Sequence, residues 1–162
     1  MQKRIFHILF FATSLLLTFS LFPQAYAAET KSTVVIDAGH GGHDPGAVGR
    51  IGKEKNINLS VALKLGRLIK QNCPDTRVVY TREKDVFIPL HRRAEIANDA
   101  KADLFISIHT NSIASRSSKV SGTETYTLGL HRTEENLEVA KKENAVILIE
   151  DDYKQRYAGF NP

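Results

Sequence analysis

Two histidines and a glutamate occupy positions where a sheet could gather them. His40 follows the run Val34-Val35-Ile36-Asp37-Ala38-Gly39, and His109 follows Phe105-Ile106-Ser107-Ile108. In a parallel sheet the C-terminal strand ends share one edge, which is the usual place for a site in an α/β fold. Glu54 would open a helix that starts from that same edge. His40, Glu54 and His109 can then form three corners of a tetrahedron with a fourth left for water, as in a catalytic zinc site. Imidazole and carboxylate without thiolate suit Zn2+ ahead of other divalent metals. The pattern leaves alternatives open. His43, Asp37 and Asp44 lie in or beside the same loop and could coordinate instead. Glu54 also has a plainer reading as an acidic first-turn residue favoured by the helix dipole. His91 and His131 sit in charged segments and are expected to face solvent.

The elements that would place these groups can be read from periodicity. Residues 33–37 form a continuous apolar, β-branched strand suited to the middle of a parallel sheet. A loop containing Gly39, Gly41, Gly42 and Gly46 follows, and its glycines let the backbone crowd close to whatever the loop holds. Over 54–72, Ile57, Val61, Leu65, Leu68 and Ile69 recur at helical spacing and predict one buried face, and Pro74 ends the helix. Residues 77–81 are a second strand, giving a βαβ unit. Pro89 begins a helix running to about residue 100, with Leu90, Ala94 and Ala97 inward. Residues 103–108 are a third strand, 112–121 a polar surface loop, and 123–128 a fourth strand by alternation. A charged helix over 134–150 would turn Leu137, Ala140, Val146 and Ile149 inward. The expected fold is α/β, a mostly parallel central sheet with helices on both faces. It is expected to be incomplete at the C-terminus, because no strand follows the last helix.

Composition narrows the function classes. The 22 Lys and Arg against 18 Asp and Glu leave a net charge of +4. Lys3 and Arg4 belong to a leader, so the remainder is too weakly basic for a nucleic-acid footprint. That leader is a signal peptide over 1–27: a basic start, an apolar run over 5–22, Pro23, and the cleavage triplet Ala25-Tyr26-Ala27. The run is nearly long enough to span a bilayer, so an uncleaved anchor is the competing reading. Cleavage leaves one domain over 28–162, with no membrane span, working outside the cytoplasm, either periplasmic or secreted. Cys73 is the lone cysteine, so no internal disulfide can form, and it is expected at a helix end. The glycine loop lacks G-x-G-x-x-G and Gly-Lys-Ser/Thr, which argues against a phosphate cradle.

The stretch from Val35 to Ala47, Val-Ile-Asp-Ala-Gly-His-Gly-Gly-His-Asp-Pro-Gly-Ala, resembles the opening signature of the zinc-dependent N-acetylmuramoyl-L-alanine amidases. These are cell-wall amidases with a parallel-sheet αβα fold. Glu54-Lys55-Asn56-Ile57-Asn58-Leu59 resembles their second motif. Tyr80-Thr81-Arg82 with Asp85, and Leu90-His91-Arg92-Arg93-Ala94-Glu95-Ile96-Ala97-Asn98, resemble the stretch that follows. Ala102-Asp103 through His109-Thr110-Asn111 resembles the third motif, and Gly122 to Leu128 the next strand.

The resemblance implies that His40, Glu54 and His109 are Zn2+ ligands and that His43 is a loop residue. It places Asn111 beside the metal, orienting substrate, and makes Arg82 and Arg93 structural, tying loops to carboxylates such as Asp85 or Asp103. The implied reaction is hydrolysis of the amide between N-acetylmuramic acid and L-alanine in peptidoglycan. Family members also use a glutamate in a Glu-Gly-Phe-type motif as general base or acid. Here Ala158 precedes Gly159-Phe160, and Glu150, Asp151 and Asp152 do not match. The catalytic carboxylate is therefore expected beyond Pro162. The other reading is a non-catalytic peptidoglycan-binding or regulatory module that keeps the fold and the metal site.

Overall fold

The computed structural model describes residues 32–50, 52–112, 121–127 and 134–159. The leader over 1–27 and His131 lie outside the described residues. Three parallel strands form the sheet: β1 (Ser32–Ala38), β2 (Thr76–Tyr80) and β3 (Leu104–Ile108), in the order β2-β1-β3. Helix α1 (Glu54–Asn72) links β1 to β2, and helix α2 (Leu90–Asp99) links β2 to β3. Cys73 is exposed and closes α1 as its C-cap residue.

The middle strand carries the core because both of its edges are paired. Val34, Ile36 and Ala38 are buried against Ala62 of α1, with Leu59, Leu65, Ile69, Val78, Tyr80, Ile106 and Ile108 around them. Burying an aliphatic side chain of this kind contributes roughly 1.5–3 kcal/mol. On the opposite face Arg93 of α2 reaches Asp37 of β1, so helices cover both sides of the strand.

Five sequence expectations need correction. The buried stripe of α1 is Glu54, Asn58, Ala62 and Gly66, whereas Ile57, Val61 and Leu68 are exposed. Small and polar residues won that face because Tyr80 lies against Gly66 and because Glu54 and Asn58 serve the loop above the sheet. In α2 the buried residue is Arg93, while Ala94 is exposed. Residues 123–127 are exposed and belong to no strand, and Leu128 lies outside the described residues. Strand propensity reflects fit to a neighbouring ladder, and no ladder hydrogen bonds join this segment to β3.

The expected helix over 134–150 is three pieces: α3 (Glu134–Asn144), a 3-10 turn (Ala145–Ile149) and the short α4 (Tyr153–Arg156). Ile147 is its buried apolar anchor, and Leu137, Ala140 and Ile149 are exposed. The break follows from the β-branched cluster after Asn144 and from Glu150, only 4% exposed, which is drawn to α2. The first turn of α2 has no acidic residue and no side-chain cap. Glu150 supplies one from 60 positions away: it accepts from the Leu90 backbone N–H at 2.8 Å and from the Tyr157 hydroxyl at 3.1 Å. His91, expected to face solvent, is part of this clasp. Its Nδ1 lies 3.6 Å from Glu150, and its ring packs edge-on to Tyr157.

Candidate metal centre

The loop leaving β1, the start of α1 and the residue after β3 converge on the C-terminal edge of the sheet. His40, Glu54 and His109 meet there, and Glu143 of α3 joins them. One donor atom from each of the four lies within 4.8 Å of the others. Nε2 of His40 is 3.3 Å from Glu54 Oε1 and 3.2 Å from Glu143 Oε2. Nδ1 of His109 is 3.2 Å from Glu54 Oε1 and 2.9 Å from Glu143 Oε2. The imidazole rings stand edge to face with centroids 4.9 Å apart.

Each group is fixed from behind. His40 Nδ1 lies 2.8 Å from Asp44 Oδ2, so a proton on Nδ1 leaves Nε2 free to face the cluster. Glu54 accepts from the backbone N–H groups of Ala47 and Thr110 and from Asn58 Nδ2. Asn58 in turn donates to the Gly39 carbonyl and accepts from the Thr110 hydroxyl. Two glycines permit the crowding. A Cβ on Gly39 would lie 2.3 Å from the His109 ring. Gly46, at φ +62°, would place a Cβ 2.6 Å from His40 and 2.8 Å from Glu54.

The electrostatics suit an exchange of protons for a cation. Burial pushes the His40 imidazole down, but the adjacent Asp44, Glu143 and Glu54 carboxylates outweigh it and lift the group to about 11. His109 rises to about 9 against the same burial, through Glu143 and Glu54. Burial raises Glu143, yet bonds from His109 and His40 bring it to about 2. Glu54 is held well below the carboxylate range, with the imidazoles and two backbone N–H groups overcoming its burial. Two protonated imidazoles facing two carboxylates carry no net charge. A divalent cation replacing the two protons on the facing nitrogens keeps that balance, and such binding releases protons. Glu143 Oε1 is also buried without a hydrogen-bond partner, and His40 Nε2 is buried with carboxylate oxygens at 3.2 and 3.3 Å but no well-aligned hydrogen bond. Orphaned buried polar atoms of this kind call for an ion or water. The donor set therefore fits a metal ion.

Other sequence candidates lie elsewhere. His43 stacks on Phe87, with centroids 4.1 Å apart. Asp37 is committed to Arg93, Thr81 and Ser107. Asn111 is exposed, two residues past His109. Arg93 ties the loop to a carboxylate as expected, though the carboxylate is Asp37, whereas Arg82 ties it through backbone carbonyls. Asp85 is bound by Lys55 at 2.6 Å, and Asp103 accepts from the Thr33 N–H. Glu143 was not singled out by the sequence. It sits among other charged residues of a surface-like helix, and only the tertiary path of α3 distinguishes it.

Residues 34–159 match the protein family described as N-acetylmuramoyl-L-alanine amidase. A putative N-acetylmuramoyl-L-alanine amidase of Buchnera aphidicola is 37% identical over 138 residues, covering 80% of this chain and 56% of that protein. N-acetylmuramoyl-L-alanine amidase AmiA of Escherichia coli is 46% identical over 90 residues, covering 55% of this chain and 30% of that protein. The chain thus spans about half or less of these relatives' lengths. Among solved structures, the catalytic domain of CwlV from Bacillus (Paenibacillus) polymyxa is similar at a TM-score of 0.51 and 49% identity. That match covers 54% of this chain and 49% of the other.

Proposed function

Because the chain belongs to the N-acetylmuramoyl-L-alanine amidase family, we propose that it hydrolyses the amide between N-acetylmuramic acid and L-alanine in peptidoglycan. We assign His40, Glu54 and His109 as ligands of a Zn2+ ion. The observation that carries this reading is the convergence of their donor atoms, with His40 Nε2 buried among carboxylates and making no well-aligned hydrogen bond. When bound, the metal supplies Lewis acidity toward an amide carbonyl.

The protein's own residues do the rest. Asp44 holds the tautomer of His40, and the two backbone N–H groups and Asn58 hold Glu54 charged and oriented. With a metal bound, Glu143 would be a fourth protein donor where an open site leaves room for water or substrate, the pattern of a closed site. Substrate enters when Glu143 moves aside. In the metal-free cluster both imidazoles hold Glu143 near 2, so it is ionised there and able to act as a donor to a cation. Asn111, exposed two residues past His109, is our candidate for orienting the substrate.

A peptidoglycan substrate would lie outside the cytoplasm, where a cleaved leader would deliver the protein. No helix among the described residues is long and apolar enough to cross a membrane. Zinc-loaded protein incubated with N-acetylmuramoyl-L-alanyl peptide should release the free amino terminus of L-alanine. Retained zinc with no release, from the native chain and from Glu143→Ala alike, would instead identify a binding module. Failure to bind zinc at all would overturn the metal assignment.

A further inference from the structure

We infer that Arg93 is a positioning residue for metal binding, holding the His40 backbone in the conformation that aims its imidazole at the cluster. The inference rests on reading His40 as a ligand. His40 has φ +61°, in the left-handed region that a side-chain-bearing residue reaches only at a cost of roughly 1–2 kcal/mol. Something must hold it there, and the structure places a buried guanidinium against its carbonyl.

Arg93 is 5% exposed and donates from all three nitrogens of its fork. Nη2 donates to the His40 carbonyl at 3.0 Å, Nη1 to the Ala38 carbonyl at 2.9 Å and to Asp37 Oδ1 at 2.7 Å, and Nε to the Ile88 carbonyl at 2.9 Å. Arg82, equally buried, takes the carbonyl between: its Nη2 donates to Gly39 at 3.0 Å and its Nε to Ala38 at 2.8 Å. Three consecutive carbonyls leaving β1 are thus held by two planar cations.

The two arginines divide the work. Arg82 also ties the Lys55 and Lys84 carbonyls, so it joins the loop to its neighbours. Arg93 alone of the pair reaches His40. With the carbonyl fixed by Arg93 and the ring fixed by Asp44, His40 is gripped at both ends. Lysine cannot reproduce this, because one ammonium cannot span Ile88, Asp37 and His40 as a fork does.

The test compares zinc affinity, by chelator competition, in native protein, Arg93→Lys and Arg82→Lys, with melting temperatures alongside. Both variants should melt earlier. Arg93→Lys should bind zinc at least about tenfold more weakly, a difference of ~1.4 kcal/mol, and its cobalt-substituted form should show a shifted visible spectrum. Arg82→Lys should stay near native affinity with an unchanged spectrum. Where Arg93→Lys is poorly folded, Arg93→Ala should regain zinc affinity with millimolar guanidinium and not with ammonium. Native affinity and spectrum in Arg93→Lys, equal loss in Arg82→Lys, or no guanidinium rescue would overturn the proposal. A native protein that binds no zinc would overturn the underlying metal reading instead.

Discussion

Glu143 Oε2 lies 2.9 Å from Nδ1 of His109, although one residue comes from helix α3 and the other from the end of the edge strand β3. The contact makes α3 part of the site. It also makes the fourth donor the only one that does not come from the sheet's own edge or from the helix it launches.

Removing that donor should trade affinity for access. Glu143→Ala should bind zinc more weakly by about tenfold or more, a loss of ~1.4 kcal/mol or above. The zinc-loaded variant should bind a small hydroxamate more tightly than native protein does. Both effects are read by competition titration, and unchanged hydroxamate binding would show that Glu143 does not close the site.

The Glu150 clasp should govern how firmly the C-terminal segment is held. Glu150→Ala strips the buried acceptor from the Leu90 N–H and the Tyr157 hydroxyl, at a cost of about 1–3 kcal/mol. The variant should melt earlier and be cut sooner by trypsin at Lys141 and Lys142. Equal cleavage rates would separate the clasp from the placement of α3.

The metal-free site has a defined pH window. The histidines are raised from an ordinary 6.5 to about 11 for His40 and about 9 for His109. Their contribution to stability is full below about 6.5 and is lost as pH rises through those raised values. Glu143 is lowered from 4.5 to about 2, so its contribution is present above 4.5 and is lost as pH falls toward 2. Chelator-treated protein should therefore be most stable between pH 4.5 and 6.5, with its melting temperature declining toward pH 10. Zinc affinity should rise over the same alkaline range, because binding displaces protons. A melting temperature flat from pH 6 to 10 would contradict the ionised cluster.

Gly46 and Gly52 lie in the same loop and should respond in opposite ways. Gly46→Ala forces a Cβ into His40 and Glu54 at a left-handed φ, a backbone cost alone of ~1–2 kcal/mol, and should lower both melting temperature and zinc affinity. Gly52→Ala meets nothing within 4 Å and should match native protein. Isothermal titration and thermal melts of the two variants decide this.

The sheet and three of the four clustered donors were legible in the chain because their signals are local. An apolar β-branched run marks β1, glycines mark the loop, and strand ends are where sites gather. What stayed hidden depended on tertiary partners. Ile57, Val61 and Leu68 form the more apolar stripe of α1, yet Asn58 and Gly66 are the buried residues, because hydrogen bonding and close approach decide that face. Arg93 reads as a structural cation and Glu150 as a charged residue at a helix end, but neither reveals its partner, since each finds compensation only across a long separation. Glu143 gave no local sign at all.

The sheet's arrangement has a colloidal consequence. β3 pairs with β1 on one side, and among the described residues no strand pairs with its other side. Leu104 and Phe105 on that strand are 52% and 42% exposed. A bare strand edge beside apolar side chains is a template for recruiting further chains. Concentrated samples of the isolated chain should therefore self-associate through β3, and charge introduced at Leu104 should keep them dispersed.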